Sequence, residues 1–259
     1  NGVASGDTNQ NSTVLWTRSN NLGQVLFEYS TDPNFTTIVG SAAANVTDPN
    51  LPVKVNIANL TPATTYYYRA TDAAGTTDKG QFRTSAPIGS QNGLRFGVAG
   101  DWRGDLLPYP AISNVPARNL EFFVQHGDTV YVDIPSNAVL NPDGTRKQQA
   151  ETIEEYRAKH NEVYSGSRFG VNNWAKLRSN TSILATIDDH EVINDFSGGE
   201  NAANDPRFPE TQGLVNDTVL FENGLQAFQE YNPLRDEFYN TTDPRTSGER
   251  KLYRYSFYG

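Results

Sequence analysis

The stretch at residues 122–131 reads Phe122-Phe123-Val124-Gln125-His126-Gly127-Asp128-Thr129-Val130-Tyr131. Its apolar run stops at Gly127, a carboxylate follows at once in Asp128, and Tyr131 comes three residues later. This pattern is typical of a buried strand that carries a ligand to the edge of a sheet. We therefore expect a functional site at the edge of the sheet that carries Asp128.

Two further β-like runs end in acid. Residues 94–99 lead into Gly100-Asp101, and residues 182–187 lead into Asp188-Asp189-His190-Glu191. Because the carboxyl ends of neighbouring parallel strands share one edge, we expect these acids to converge. Convergent carboxylates repel one another unless a cation lies between them, and oxygen ligands favour hard cations. The alternative, that each aspartate only caps a turn or a helix, stays open.

The same residues resemble a known family. Gly127–Tyr131 resembles the G-D-x-x-Y block of metallophosphatases related to purple acid phosphatases. Asp188–Glu191 resembles the D-D-H-E block of PhoD-like alkaline phosphatases. Residues 226–235 and 252–259 are similar to later segments of that family, so the resemblance covers essentially the whole chain.

The first third of the chain reads as all-β. Residues 14–17, 24–29 and 53–57 alternate apolar with polar at period two, and turn clusters separate them. The resemblance implies an all-β fibronectin type III-like sandwich over residues 1–87. An α/β metallophosphatase domain with α/β/β/α layers is expected to follow over residues 94–259, C-terminally incomplete. Residues 85–93, rich in chain-breaking residues, form the predicted linker.

Local signals place three helices in the second domain. Thr152-Ile153-Glu154-Glu155 is a capping-box pattern, and residues 172–178 predict a short helix. Asn216 or Asp217 is expected to cap a helix that runs to about residue 231. His160 falls on the apolar face of the first helix, which favours a packed histidine over a ligand. Residues 252–257 alternate in polarity and predict a strand.

The resemblance implies a two-metal site. Asp101 is expected to be a terminal ligand of the first metal, Asp128 to bridge both metals, and Tyr131 to bind Fe(III) as phenolate. Asp189 falls where relatives place an asparagine ligand of the second metal, and an aspartate there favours Ca(II). His190 is the predicted catalytic residue, contacting the substrate phosphate or protonating the leaving oxygen.

Two departures leave questions open. Trp102 and Arg103 follow Asp101 where many metallophosphatases have D-x-H, and PhoD-like enzymes usually have cysteine at the position of Asp101. The identity of the first metal is therefore open. Asp188, Glu191 and Asn194 are expected either to orient ligands or to bind a further ion, and His126 is expected to lie next to the metal ligands without binding a metal.

The composition of the chain limits the kinds of binding partner and the cellular location that we expect. The net charge of −9 argues against a nucleic-acid-binding surface, and no apolar run is long enough to be a transmembrane segment. The absence of cysteine excludes disulfides and thiolate metal sites. The chain starts as if already processed, and its richness in Asn, Thr and Gly favours a secreted, periplasmic or cell-surface protein.

The resemblance implies metal-dependent hydrolysis of a phosphate ester, either a phosphatase or a phosphodiesterase reaction. Members of the resembled family have further metal ligands, including histidine, beyond the point that corresponds to residue 259. This chain has three histidines, and none of them follows His190. A fragment, a cleaved chain whose partner is a separate C-terminal fragment, and a degenerate homologue all stay open. The competing hypothesis is a non-catalytic extracellular module that binds metal or phosphate, or an inactive fragment of the enzyme.

Overall fold

Alternation of apolar and polar residues produces seven strands in the first third of the chain. The computed structural model describes residues 2–259, so residue 1 of the predicted sandwich lies outside the described residues. The strands are β1 (Val3–Gly6), β2 (Thr13–Thr17), β3 (Gly23–Ser30), β4 (Gly40–Val46), β5 (Val53–Ile57), β6 (Thr65–Thr71) and β7 (Thr77–Arg83). Residues 84–95 contain neither helix nor strand.

Buried side chains from two sheets make the first core. The antiparallel order β4-β3-β6-β7 forms one sheet, and β5-β2-β1 faces it as part of another. Phe27, Tyr68 and Leu15 are completely buried between them. Tyr66 stacks on Phe82 with ring centroids 5.5 Å apart. The period-two pattern of the sequence is therefore used to fill a β-sandwich, as predicted.

The second region adds three parallel strands and three α-helices, together with short 3₁₀ turns, within residues 2–259. These elements are β8 (Phe96–Ala99), β9 (Phe122–His126), β10 (Ser182–Thr186), α1 (Ile153–Ser165), α2 (Asn173–Asn180) and α3 (Val219–Tyr231). In register, Phe96 and Ser182 both pair with Phe122. The three strands therefore end at one edge, as the sequence predicted. None of the helices in this range is long and apolar enough to cross a membrane.

One sheet joins the two regions. Its order is β5-β2-β1-β10-β9-β8, and β1 pairs in parallel with β10 through Gly6 and Ile183. A Cβ on Gly6 would lie 2.7 Å from the carbonyl oxygen of Ile183, so glycine is required for this approach. The division into residues 1–87 and 94–259 stays a prediction, because a shared sheet crosses it.

Arg178 of α2 anchors the regions to each other. Its buried guanidinium lies 4.3 Å from the ring centroids of both Trp16 and Tyr164. The indole nitrogen of Trp16 donates to the carbonyl of Glu230 at 3.0 Å. Cation–π stacking in such a desolvated place contributes about 2 kcal/mol, so the β-sandwich and the α/β region share one packed interface.

Helix starts follow the sequence closely, with one correction. Thr152 and Glu155 form the predicted capping box of α1. The predicted cap of α3, Asn216 or Asp217, is wrong, because Thr218 accepts from the backbone N–H of Phe221. Asn216 and Asp217 instead accept from backbone groups of the preceding turns, which uses their side chains before α3 begins.

The strand predicted at residues 252–257 is also wrong, since the segment has no regular secondary structure. Side-chain contacts hold it across one face of the sheet instead. Arg254 donates to Asp7 at 2.7 Å and to the carbonyl of Ala185, and the Tyr258 ring lies 4.4 Å from that of Phe122. Tyr253 and Tyr255 stay exposed. The alternation thus reflects a segment that lies on the sheet without pairing with it.

The buried side chain of His160 is expected to make the folded protein less stable at low pH. It is completely buried in the helical core, as expected, and within residues 2–259 neither ring nitrogen has a hydrogen-bond partner. Burial, together with the charge of Arg178, lowers the pKa of His160 to about 3. The unfolded chain, with a histidine pKa near 6.5, then binds a proton that the folded chain refuses, so stability present above that pH is lost as pH falls.

We expect His160→Leu to flatten this acid limb by about 3 kcal/mol between pH 7 and pH 4. Urea unfolding at several pH values measures it, with His126→Gln at an exposed histidine as the control. Parallel stability curves for the wild type and His160→Leu would show that His160 does not cause the acid loss.

Candidate functional site

The backbone at two strand ends turns sharply to present aspartates. Asp101 after β8 and Asp128 after β9 have φ angles of 58° and 50°, in the left-handed region that Asp and Asn tolerate best among non-glycine residues. Gly127 has φ 72°, and a Cβ there would lie 2.5 Å from that of Asp188. The Gly-Asp pair therefore both turns the chain and lets the end of β10 approach.

The convergence produces a cluster of three potential ligands. Asp128, Asp189 and His190 each offer one ligand atom, and these atoms lie within 4.8 Å of one another. The backbone N–H of His190 donates to Asp128 at 3.2 Å and to Asp189 at 2.9 Å. The hydrogen bonds fix both carboxylates relative to the imidazole. Two carboxylates and an imidazole form a donor set that fits a divalent or harder cation.

The electrostatics of the cluster call for positive charge. Burial raises the pKa of Asp128 to about 6, and the charges of Asp189 and Asp188 act in the same direction. Burial also opposes ionisation of Asp189, but the backbone N–H of Asp195 and the charge of His190 bring its pKa below the usual value. A cation between the two carboxylates would favour the ionised form of both.

Glu191 joins the segments that follow β9 and β10 through hydrogen bonds to their backbone. Its completely buried carboxylate accepts backbone N–H groups of Asp128 at 3.0 Å, Thr129 at 2.8 Å, Val130 at 3.2 Å and Asp188 at 3.0 Å. Burial raises its pKa to about 7 against these hydrogen bonds. The sequence left open whether Glu191 orients ligands or binds a further ion. The structure makes it the acceptor that fixes the loop carrying Asp128.

Asp133 contacts the cluster and was not predicted as a site residue from the sequence. It is buried, and its carboxylate contacts Nδ1 of His190 at 2.8 and 2.9 Å and accepts the backbone N–H of Asn194 at 2.7 Å. Burial lowers the pKa of His190, but the hydrogen bond and charge of Asp133 outweigh burial and raise it. The only sequence signal was an aspartate two residues after Tyr131, in a segment read as loop.

We expect Asp133→Ala to weaken metal binding about 10- to 100-fold, because the imidazole of His190 loses the partner that fixes its orientation. Calorimetric titration of the metal-free protein with Mn²⁺ measures the change. Asp143→Ala, an exposed aspartate of the same long loop, is the matched control. An unchanged affinity in Asp133→Ala would remove Asp133 from the site.

Tyr131 and Asp101 border the cluster. The Tyr131 ring stacks on the His190 ring with centroids 3.9 Å apart, and burial, followed by the charges of Asp128 and Asp101, raises its phenol pKa. Asp101 is exposed and is not among the three residues whose ligand atoms meet. Its neighbour Trp102 donates a backbone N–H to the Asp128 carbonyl at 3.0 Å. The metal-ligand roles of Asp101 and Tyr131 stay predictions.

The remaining polar candidates lie outside the cluster. His126, Asp188 and Asn194 are exposed at the same edge. Asp188 and Asn194 take part through their backbone N–H groups, which donate to Glu191 and Asp133. These two residues therefore hold the supporting carboxylates in place.

Comparison with known proteins identifies the family of this chain. The family model described as PhoD-like phosphatase matches residues 100–259, and a second, described as PhoD-like phosphatase, N-terminal domain, matches residues 1–86. The chain belongs to the PhoD-like phosphatase family. The resemblance inferred from the Gly127–Tyr131 and Asp188–Glu191 blocks is thereby confirmed.

Individual relatives give the extent of the match. Alkaline phosphatase D of Bacillus subtilis (strain 168) is 26% identical over 276 residues, covering 100% of this PhoD-like chain and 44% of the relative. A solved structure described as "Structure of PhoD" matches with a TM-score of 0.76 and 24% identity, covering 100% of this chain and 49% of that one. The second likeness shows the fold. The chain spans about half the length of the relatives it matches.

Proposed function

We propose that this PhoD-like chain carries the metal-binding edge of a phosphate-ester hydrolase. The observation that carries the proposal is the meeting of Asp128, Asp189 and His190 at the carboxyl ends of β9 and β10. Family membership supports the reaction class, and the matched relative is named an alkaline phosphatase. The acidic net charge of −9 supports a small phosphate ester as substrate over a nucleic acid.

In this proposal, Asp128 and Asp189 hold the metals, with Asp101 and Tyr131 completing the first position. When bound, such a metal pair supplies a nucleophilic water at neutral pH and neutralises charge on the phosphoryl oxygens. His190, held at Nδ1 by Asp133, keeps Nε2 available for a phosphoryl or leaving-group oxygen. Its place in the cluster also makes it a candidate ligand.

Metal identity is part of the same proposal: Fe(III) at the tyrosine side and Ca(II) at the second position. A phenolate oxygen is a hard ligand that suits a ferric ion, and carboxylate oxygens suit calcium. If Tyr131 binds Fe(III), the iron-loaded protein has a visible tyrosinate-to-iron absorption band, and Tyr131→Phe removes it. A band that survives this substitution would assign the chromophore elsewhere.

Three further proposals concern the layers of the fold, its division into domains and the location of the protein. A second β-layer, as in α/β/β/α packing, is supported by the exposed apolar face of β8, where Phe96 and Val98 are 50% and 53% exposed. The division into residues 1–87 and 94–259 is consistent with the separate family models. A secreted or cell-surface location and a separate C-terminal fragment are retained as predictions from the sequence.

The competing proposal is a non-catalytic module that binds metal or phosphate, or an inactive fragment of the enzyme. Hydrolysis of 4-nitrophenyl phosphate and bis(4-nitrophenyl) phosphate, by this chain and by the natural protein purified from its source, separates the two. We expect turnover by the natural protein that a chelator abolishes and added metal restores. Tight metal binding without turnover by either protein would establish the binding module.

A further inference from the structure

A large cavity opens directly beside the metal cluster. Its volume is about 900 Å³, and His190 and Asp133 form one wall. The size falls in the range of about 300–1,000 Å³ that is typical of pockets for small organic ligands. His190 lies both in this wall and in the cluster. A phosphate ester whose phosphoryl group binds at the cluster would therefore place its organic group at the mouth of the cavity.

Six of the eleven remaining lining residues are apolar. They come from the loop after β9, the turn after β10, the loop before α3 and the first turn of α3. The apolar residues are Ile134, Ile193, Pro206, Pro209, Val219 and Leu220, and the polar ones are Gln148, Gln149, Glu151, Asn194 and Arg207. The apolar part of this lining favours a hydrocarbon group, since burial of apolar area is the main source of binding free energy there.

Arg207 is a cation of the lining, but its charge is already matched. Its guanidinium donates to the carboxylate of Asp205 at 2.7 and 2.9 Å, and to the carbonyls of Asn194 and Asp195. These contacts fix the loop that carries Pro206 and Pro209 against the segment after His190. Arg207 therefore shapes the cavity wall, and a second anionic group on the ligand has no free cation to meet in this lining.

We propose that this cavity binds the organic group of the substrate and selects phosphate esters of bulky, apolar alcohols over esters of small ones. The inference rests on the proposed function for the phosphoryl end of the substrate. It adds the substrate class, and it assigns Val219 and Leu220 at the start of α3 as residues that set specificity.

Non-hydrolysable phosphonates test the assignment without turnover. Calorimetry compares cyclohexylmethylphosphonate with methylphosphonate on the metal-loaded natural protein, and we expect the larger ligand to bind at least about tenfold more tightly. In Val219→Trp, the indole fills the cavity and reduces the preference to within about twofold, while methylphosphonate affinity is retained. Val219 is 58% exposed, so the fold tolerates the larger side chain.

Val171→Trp is the matched control, because Val171 is 43% exposed and lies outside the lining of this cavity. This variant retains the wild-type preference. Equal affinity of the wild type for the two phosphonates, absence of binding, or a preference that survives Val219→Trp would overturn the proposal.

Hydrolysis of the two corresponding esters, cyclohexylmethyl phosphate and methyl phosphate, separates this inference from the proposed function. If neither ester is cleaved but the phosphonate preference is present, the cavity assignment stands and the hydrolase proposal fails. If both esters are cleaved and the phosphonates bind equally, hydrolysis stands and the cavity assignment fails.

Discussion

Replacing Asp128 with asparagine is expected to lower both metal affinity and ester hydrolysis by more than the roughly 10- to 100-fold that loss of an outer partner costs. The carboxylate is central to the cluster with Asp189 and His190. Asparagine is the informative substitution because it tolerates the left-handed backbone at this position, φ 50°, and can still accept the N–H of His190. The loss then reports the missing charge and ligand atom, with the backbone conformation retained.

Metal titration and steady-state hydrolysis of 4-nitrophenyl phosphate measure the effect of Asp128→Asn. Asp143→Asn, an exposed aspartate distant from the cluster, is the control and keeps wild-type values. Full metal content and activity in Asp128→Asn would show that the cluster is not the reaction centre.

Removing the buried carboxylate of Glu191 is expected to produce the largest loss of stability. Glu191→Ala leaves buried backbone N–H groups of Asp128, Thr129, Val130 and Asp188 without their acceptor. Each unsatisfied buried donor costs about 1–3 kcal/mol, and relaxation recovers part of this, so we expect a loss of roughly 4 kcal/mol. Metal binding falls as well, since the loop that carries Asp128 is no longer fixed.

Urea unfolding of the metal-free protein measures the Glu191 effect. Glu191→Gln gives an intermediate loss, because the amide keeps one acceptor oxygen and places an NH₂ against the remaining donors. Glu154→Ala, at an exposed glutamate of α1, changes stability by less than about 0.5 kcal/mol. A Glu191→Ala protein as stable as Glu154→Ala would contradict the supporting role.

The strand-end aspartates could be predicted because their signal is local. An apolar run followed by Gly-Asp specifies a buried strand, a sharp turn and a carboxylate at the sheet edge within a few residues, as at Gly127 and Asp128. Parallel pairing then places these ends at one edge. The capping box at Thr152 was predictable for the same reason, since its two hydrogen bonds join residues three apart.

Features that depend on distant partners could not be predicted in this way. The pairing of Gly6 with Ile183 joins segments separated by most of the chain, so the continuous sheet across the two regions has no local signal. The contact of Asp133 with His190 is set by how the loop after β9 folds back. At residues 252–257, alternation described side chains that lie on a sheet face without pairing in it.

The central claim is that Asp128 and Asp189 bind metal together at the edge formed by β9 and β10. Crystallography with anomalous scattering, on protein incubated with iron and calcium, tests it most directly. We expect an anomalous peak within about 2.0–2.6 Å of carboxylate oxygens of both residues. Crystals that show no metal there, or metal bound only elsewhere on the chain, would contradict it.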